Sequence, residues 1–415
     1  MMWFIAMLLA QELSPDLLLL ARIKVVMEQN LNSLPNYTCT QTVERSQRAA
    51  PTRRFRLVDT LRLEVALING KELFSWPGAK RFEERRLSEI VGGGTTADGS
   101  FGLHARAVFL GRSATFTYAG PREREGRQTQ RFDYQVPQML SGYQIKVAGR
   151  QAIVGYHGSF WVDAQTLDLI RLEVRADDIP PDLGLSSAGD AMEYARVKIG
   201  EGESLLPQIS EVTMIDLAGG EYVNRTQFSG CRQYAGESVI SFDAPPEETA
   251  ETPRAETTAP LGLPSDLTLD LELMTPIRFQ KAAVGDPLSF RLTHDVKRKG
   301  ELLLGKGATV DGRVTRLERS SGRWELRMVG VQLHSITDGG RSGEIRASLS
   351  GVAALTGSAS VVPYAGWREA RRYEESGNGI FFTRGNWVEV PRGFRMRWRT
   401  ATAPAEGSQS NGEKK

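Results

Sequence analysis

Few residue patterns in this 415-residue chain have the types and spacing that catalysis requires. His157 stands two residues before Ser159 in Gly-Tyr-His-Gly-Ser, which differs from the Gly-x-Ser-x-Gly elbow that presents a nucleophilic serine in hydrolases. Adjacent acids occur at 83–84 and 177–178, but no partner stands at a spacing that predicts a glycosidase pair. The glycine run 92–94 lacks the Lys-Ser/Thr of a phosphate-binding loop. We therefore predict that the protein is not an enzyme.

The composition argues against several other classes of protein. The formal charge is +2, from 52 basic and 50 acidic residues, so no global field attracts the chain to nucleic acid. Two cysteines and four scattered histidines provide neither a disulfide framework nor the ligand spacing of a zinc site. We predict no metal, no other cofactor and no nucleic-acid partner.

One stretch of the chain has a basic face. Residues 394–399 alternate Phe, Met and Trp with three arginines, which predicts a strand with one apolar and one basic side. The basic side suits lipid phosphate, nucleic acid or a peptidoglycan carboxylate. The alternative, which we favour, is an edge strand whose charges deter aggregation.

The residue pattern of the segment 1–13 predicts that the protein is exported. Its apolar run is shorter than the ~20 residues that cross a bilayer and ends at the small residue Ala10, as the apolar region of a signal peptide does. No basic residue precedes the run, and a simple apolar tail is the alternative. We predict a periplasmic or secreted protein of the bacterial cell envelope.

A single helix is predicted at the start of the folded chain, over 16–34. Ser14 suits the N-cap and Pro15 the first turn, where Asp16 complements the helix dipole. Apolar residues then recur at helical spacing, at Leu20, Ile23, Met27, Leu31 and Leu34. A membrane-surface helix is the alternative, but the polar face is mixed rather than basic, so we expect the helix to pack on a sheet.

The pattern of the remaining chain up to residue 243 predicts antiparallel strands. Alternating segments follow one another with turn signals between them, such as Asn69-Gly70, which supplies the positive φ angles of a tight hairpin. We predict a mainly β (α+β) fold with a first domain at 14–243. Candidate ligand-lining residues are the aromatic side chains of its strands, although alternation does not indicate which face is concave: Phe132, Tyr134, Tyr143, Phe160 and Trp161.

The stretch 244–266 is rich in Pro, Thr, Glu and Ala and has no apolar periodicity, which predicts a flexible linker. Alternating strands resume at 267–400 and predict a small antiparallel β-barrel that serves as an interaction module. Two similar stretches, 302–314 and 388–398, predict a turn that is used twice. The polar tail 401–415 is predicted to be disordered.

Cys39 lies in the first predicted strand and Cys231 near the last. In an exported protein they form either a disulfide that joins the two ends of the domain or two buried free thiols.

The first domain resembles the lipoprotein carriers of the LolA/LolB/LppX type. The resemblance is carried by the helix 16–34 running into NYTCTQTVER, and by the hairpin SFWVDAQTLDLIRLEV. It implies a curved antiparallel half-barrel around an apolar cavity. A large domain of this kind followed by a small β domain is also similar to the periplasmic regulators of the RseB/MucB type.

The second domain resembles the β-barrel of TrbI-type conjugation-pore scaffolds. Val284-Gly285-Asp286-Pro287 matches a recurring strand start, and the stretch from Gly305 to Val314 matches a recurring turn, with Gly305 where Pro is usual.

Two functions follow as hypotheses. In the first, the concave sheet binds a lipid, an acyl chain, a lipoprotein or an apolar peptide segment, and the second domain docks an envelope protein partner. In the second, the interior is filled by its own side chains, and both domains are adhesion or scaffold modules without a small-molecule ligand.

Overall fold

The computed structural model describes residues 14–50, 54–79, 82, 84–91, 94–147, 149–234, 261–321, 325–353, 361–363, 378–384 and 388–401. The predicted export segment, most of the predicted linker, a short predicted strand at 238–242 and the tail from 402 onward lie outside these residues. The chain divides into two compact units. The first holds most of the chain up to Gly236, and the second holds Glu237–Lys415 together with Val58–Arg62 and Trp76–Gly78.

The leading helix, α1, spans Pro15–Asn32 and confirms the sequence prediction. Ile23, Met27 and Leu31 are buried, while Leu20 and Leu34 pack against the same core. Ser14 occupies the N-cap position without a side-chain capping hydrogen bond, so the helix gains its stability from its packed face rather than from its cap.

The N-terminal unit contains one large antiparallel sheet. Its strands are β1 Tyr37–Arg48, β2 Arg56–Ile68, β3 Lys71–Ser75, β4 Thr115–Arg124, β5 Arg127–Val136, β8 Gly155–Asp163, β9 Leu169–Asp177, β10 Leu185–Ile199, β11 Gly202–Asp216 and β12 Glu221–Gln233. The order is β3-β2-β1-β12-β11-β10-β9-β8-β5-β4, so the first strand of the chain pairs with the last. A separate hairpin joins β6 Gln144–Val147 to β7 Arg150–Ile153, and two short helices, α2 Leu87–Ile90 and α3 Leu103–Phe109, interrupt the strands.

The hairpin between β2 and β3 turns at Asn69-Gly70, as predicted. Asn69 has φ 51° and Gly70 has φ 77°, the positive angles that a type I′ turn requires at both central positions. The short loop fixes the register, with Ile68 opposite Lys71 and Glu64 opposite Ser75.

A disulfide joins β1 to β12. Cys39 and Cys231 are bonded, their Cα atoms lie 4.1 Å apart, and 192 positions separate them in the sequence. The bond therefore links the first and last strands of the N-terminal unit at the place where those strands pair.

The C-terminal unit is a second antiparallel sheet around its own apolar core. Its described strands, of which the five short strands β14, β16, β17, β20 and β24 lie off the main path, are β13 Thr268–Leu273, β14 Ile277–Arg278, β15 Pro287–Leu292, β16 Val296–Arg298, β17 Glu301–Leu304, β18 Thr309–Ser321, β19 Glu325–Asp338, β20 Arg341–Glu344, β21 Ala347–Val352, β22 Val361–Pro363, β23 Asn378–Arg384, β24 Glu389–Val390 and β25 Arg395–Thr400. The main order is β21-β25-β13-β15-β18-β19-β23-β22. A Cβ on Gly379 of β23 would lie 2.5 Å from Cβ of Leu349 on β21, so the two ends of the sheet approach each other as in the predicted barrel.

The packed part of this unit begins before the predicted boundary at 267. Leu261 is buried in its core and donates its backbone N–H to the carbonyl of Ser342 over 3.0 Å. The predicted repeated turn is present at both places, because Gly307 and Gly393 each adopt a positive φ, 97° and 85°.

The prediction that the arginine-rich stretch forms an edge strand is wrong. β25 lies between β21 and β13, with Met396 and Trp398 buried in the core. On its other side Arg397 pairs with Asp270 of β13 over 2.7 Å, and Arg399 pairs with Asp266 over 3.4 Å. Asp270 of the neighbouring strand and Asp266, which precedes that strand, therefore neutralise part of the basic face that the sequence indicates.

Candidate functional site

One segment crosses the inner face of the N-terminal sheet. Residues 99–109, here called the strap, run from a loop into α3. The carboxylate of Glu72 on β3 accepts hydrogen bonds from three backbone N–H groups of the strap, those of Gly99 (2.7 Å), Gly102 (2.9 Å) and Leu103 (3.1 Å). The start of the strap is therefore fixed to the β3 edge of the sheet.

A second carboxylate holds the same segment from a distant strand. The hydroxyl of Ser100 donates a hydrogen bond to Oδ2 of Asp190 on β10, and Nε2 of His104 lies 3.7 Å from the same oxygen. Asp190 is buried, with 5% of its surface exposed. The strap is thus bound by two carboxylates that belong to different parts of the sheet.

The positions of these two carboxylates show that the sheet is curved. Five strand spacings separate β3 from β10, which is about 24 Å in a flat sheet. Glu72 and Asp190 nevertheless bind the adjacent residues Gly99 and Ser100. The sheet must therefore curl around the strap, and the face that meets α1 and the strap is concave, as in the predicted half-barrel.

Three of the five predicted aromatic residues lie on this concave face, and Tyr143, which precedes β6 and lies outside the large sheet, packs against it. Phe132 and Phe160 stack with ring centroids 5.4 Å apart, and Tyr134 is buried in the same core. Tyr143 lies edge-to-face with the ring of His104, at 5.7 Å, and with that of Tyr156, at 5.8 Å. Helix α1 and α3 cover this surface.

Trp161, the fifth predicted residue, lies on the opposite, convex face. Its neighbours Phe160 and Val162 are buried, while Trp161 is only partly buried. The guanidinium groups of Arg124 and Arg131 lie 5.8 Å and 5.3 Å from its ring. Trp161 therefore does not belong with the other four residues.

Because Gly158 of β8 has no side chain, the ring of Tyr134 on β5 can reach across β8 to β9. Tyr134 pairs with Gly158 of β8, and its hydroxyl donates to the carbonyl of Glu173 on β9 over 2.7 Å. A Cβ on Gly158 would lie 1.8 Å from that carbonyl oxygen. The glycine is thus required by close packing, and not by a catalytic turn.

His157 and Ser159 are on the convex face, where they have separate partners. The imidazole of His157 pairs with Asp177, and the hydroxyl of Ser159 donates to Asp133 over 2.6 Å. Arg131 also donates to that hydroxyl, over 3.1 Å. These groups border a polar depression of about 430 Å³. The serine donates to a carboxylate rather than to a histidine, so this pair does not form a nucleophile and its base.

Burial shifts the ionisation of the groups at the strap. It raises the pKa of the Asp190 carboxyl and lowers that of the His104 imidazole. It also raises the pKa of the Glu72 carboxyl from 4.5 to about 7, against the opposing effect of the backbone donors. Tyr143 and Tyr194, which face Asp190, have raised pKa values for the same reason. The concave interior therefore disfavours charge, positive or negative.

The raised pKa of Glu72 predicts a pH dependence of stability. Between pH 4.5 and about 7 the folded protein retains a proton that the unfolded chain has lost, so the stabilisation is complete below pH 4.5 and disappears as the pH rises to about 7. The quantity to follow is the free energy of unfolding of the wild type minus that of the Glu72→Gln variant. We expect this difference to fall by about 1–3 kcal/mol between pH 4.5 and about 7. Urea unfolding at a series of pH values measures it.

The subtraction is needed because the lowered pKa of His104 acts with the opposite sign below pH 6.5. Glu84→Gln is the matched control, since Glu84 is exposed and its pKa is lowered by Lys71. A wild-type-minus-Glu72→Gln difference that is constant from pH 4.5 to 7 would contradict the prediction.

The sequence analysis missed the strap. Ala105, Val108 and Phe109 have helical spacing and are buried, but the helix has only seven residues and no side-chain cap. The helical spacing of these three apolar residues was the sequence signal from which α3 could have been predicted. The anchors at Glu72 and Asp190 are remote in sequence and left no local pattern.

Within the described residues, no group of three or more His, Cys, Asp or Glu side chains is arranged to hold a metal ion. No helix in that part of the chain combines the length and the apolar character needed to cross a membrane.

The comparisons with solved structures concern about half of the chain. A putative outer-membrane lipoprotein-sorting protein domain from Vibrio parahaemolyticus matches with 12% identity and a TM-score of 0.29, covering 53% of this chain and 92% of that one. A LolA superfamily protein from Nitrosomonas europaea matches with 12% identity and a TM-score of 0.28, covering 51% and 94%. The lipoprotein LppX from Mycobacterium tuberculosis matches with 10% identity and a TM-score of 0.20, covering 54% and 98%.

With identities of 10–12% and TM-scores of 0.20–0.29, these matches establish neither a family nor a function for this chain. No protein-family profile matches the chain, and no curated protein does. The class of the N-terminal unit is defined by its own strand order and anchors: a helix-covered antiparallel half-barrel.

Proposed function

We propose that this chain is a non-enzymatic cell-envelope protein. Its N-terminal unit binds a lipid, an acyl chain or an apolar peptide segment on the concave face of the sheet. Its C-terminal unit is an interaction module for an envelope protein partner. The observation that supports binding is the contiguous aromatic surface under α1 and the strap, which includes Phe132, Tyr134, Tyr143 and Phe160.

The driving force would be burial of alkyl groups, about 0.8 kcal/mol for each CH₂. The covering layer is thin, because α1 and the seven-residue α3 are its main elements. A ligand would enter at the β4 edge of the sheet, near the partly buried Phe116. Nζ of Lys24 on α1 lies 5.1 Å from the centre of the Phe116 ring.

A scaffold without a ligand is the second candidate, and one observation favours it. Phe132 and Phe160 are 1% and 0% exposed, so the side chains of the protein itself already fill this part of the interior. In that case the two units would act only through their outer surfaces.

Native mass spectrometry of the exported full-length protein, followed by solvent extraction and lipid analysis, separates the two candidates. We expect a stoichiometric bound mass that extraction removes. We also expect the delipidated protein to take up the neutral fluorescent probe N-phenyl-1-naphthylamine. A clean protein mass together with no uptake of the probe would leave the scaffold function.

A pair of variants locates the binding. Phe116→Ala removes a ring at the border of the concave face, and we expect it to weaken probe binding by about tenfold, as loss of a buried aromatic anchor does. Trp161→Ala, on the convex face, is the control and should leave the affinity unchanged. Equal effects of the two variants would contradict binding on the concave face.

A further inference from the structure

One end of the N-terminal sheet carries a set of exposed apolar side chains. Outside α1, the six most exposed large apolar residues described in this unit all lie there and are here called the apolar rim: Phe55, Leu57, Met139, Leu140, Ile153 and Leu217. Met139 is 95% exposed, Leu217 63% and Leu140 60%. Apolar side chains concentrated on one part of a surface in this way mark a site of interaction with a protein or a membrane.

Strand register places these six residues at the same end of the sheet. Their positions in the chain are the start of β2 for Phe55 and Leu57, the short helix after β5 for Met139 and Leu140, the approach to β8 for Ile153, and the residue after β11 for Leu217. The end of β5 lies beside the start of β8, since Val136 pairs with Tyr156. The ends of β1 and β11 lie beside the start of β12, since Arg48 and Ile215 both pair with Glu221.

The turns at the opposite end of the same sheet are polar. They are Asn69-Gly70, Glu125-Gly126, Gln165-Thr166 and Gly200-Glu201. The strongly exposed apolar residues of the sheet are therefore concentrated at one end of the strands rather than distributed over the loops in general.

The part of the apolar rim beside β1 and β2 is basic. A depression of about 990 Å³ opens there, bordered by Arg48, Arg54 and Arg56. The guanidinium group of Arg48 lies 4.8 Å from the ring of Phe55 and pairs with Glu221. Neither Arg54 nor Arg56 has an ion pair with a described residue, so two guanidinium groups are available to a ligand.

The acids at this end do not occupy these two arginines. Asp216, which also borders the depression, accepts hydrogen bonds from the backbone N–H groups of Ala218 (2.9 Å) and Gly220 (2.8 Å). Asp178 and Asp182 belong to the connection between β9 and β10, farther along the sheet. The positive charge is thus local to the β1–β2 side of the apolar rim.

We propose that the apolar rim docks the protein onto a lipid bilayer, where Arg54 and Arg56 bind the phosphate groups of negatively charged phospholipids. The planar guanidinium group matches phosphate with two parallel hydrogen bonds. Exposed apolar side chains beside basic ones enter the boundary between head groups and acyl chains. A bilayer suits the rim better than a protein, because side chains such as Met139 protrude singly and a fluid layer needs no matching pocket for each.

Docking at this end would also bring the proposed ligand entry to the membrane. Phe116 is the second residue of β4, and Thr115 at the start of that strand pairs with Gln135 near the end of β5, where the rim lies. An acyl chain would then move between the bilayer and the concave face without crossing water. This consequence rests on the proposed function, whereas docking itself does not require a bound ligand.

Cosedimentation of the full-length protein with vesicles tests the docking. The vesicles consist of phosphatidylcholine alone, or of phosphatidylcholine and phosphatidylglycerol in equal parts. We expect about thirtyfold tighter binding to the second kind, the contribution of two arginines beside a negatively charged surface. High salt should reduce this preference, because it screens the attraction.

Two outcomes separate the docking from the proposed function. If the protein takes up N-phenyl-1-naphthylamine but binds neither kind of vesicle, the docking is overturned, the proposed function remains, and a protein becomes the expected occupant of the rim. If it binds the vesicles but takes up no probe, the docking stands and the proposed function fails.

Leu217→Ser and Ile209→Ser form a matched pair. Both replace an exposed aliphatic side chain, but Ile209 lies halfway along β11, away from the rim. We expect Leu217→Ser to weaken binding to the anionic vesicles about tenfold, as the loss of one leucine that enters an apolar layer does, and Ile209→Ser to leave it unchanged. Urea unfolding checks that both variants are folded. Wild-type binding by folded Leu217→Ser would overturn the inference.

A second pair of variants tests the arginines. Arg54→Glu combined with Arg56→Glu should abolish the preference for phosphatidylglycerol. Arg127→Glu combined with Lys198→Glu makes the same change of charge at the opposite end of the sheet and should retain it, because these residues lie at the start of β5 and the end of β10. Equal losses in the two double variants would show that only the overall charge matters and would overturn the assignment to the rim.

Discussion

Replacing Cys39 and Cys231 together by alanine is expected to lower the free energy of unfolding of the N-terminal unit by about 5 kcal/mol. The bond closes a loop of 192 positions, and cross-linking so long a loop removes much of the conformational entropy of the unfolded chain. It also joins β1 to β12, the pairing that brings the first strand of the unit to its last. Urea unfolding followed by tryptophan fluorescence measures the change.

Reduction of the wild-type protein provides the control. A reducing agent should lower the stability of the wild type by a similar amount and leave the double variant unchanged, because the variant has no bond to lose. A double variant as stable as the oxidised wild type would show that the strand pairing alone holds the two ends of the unit together.

Phe160→Ala is expected to lower the free energy of unfolding by about 3–5 kcal/mol, the usual cost of removing a fully buried phenylalanine ring. Phe160 is 0% exposed and lies at the centre of the aromatic surface. Its ring stacks on that of Phe132 at 5.4 Å and meets Phe109 of the strap at 5.0 Å. The cavity would therefore open where the sheet, α3 and the proposed ligand surface meet.

Trp161→Ala is the matched control on the convex face of the same strand. It removes the larger side chain, but that ring contacts mainly Arg124 and Arg131 and is partly exposed, so we expect a loss of about 1–2 kcal/mol. If Trp161→Ala destabilised the protein more than Phe160→Ala, the assignment of the buried face would be wrong.

The elements with strong local signals were predictable from the sequence. The apolar spacing of α1 and the Asn69-Gly70 turn each depend on residues a few positions apart, and both are present as expected. Phe160 and Trp161 were both predicted to line the ligand, but they are adjacent in one strand and therefore lie on opposite sides of it. It could not indicate which side is covered, because a strand presents two faces whose environments are set by other parts of the chain.

The arginine-rich strand shows the same limit. Its pattern of one apolar and one basic side was read correctly, and Met396 and Trp398 are indeed buried. Arg397 and Asp270 are 127 positions apart in the sequence. The other neighbouring strand, β21, is also remote, since Leu349 lies opposite Trp398. No local pattern carries that information.

The sequence by itself determined that this protein is mainly β, begins with a packed helix and has aromatic residues suited to an apolar surface, because these features follow from the periods of helix and strand. Only the tertiary structure decided which face is concave and that Glu72 and Asp190, from distant strands, hold adjacent residues of the strap there. Their placement results from strand register and from the curvature of the sheet around the strap. Both are set by contacts between residues far apart in the chain, which is why no stretch of sequence displays them.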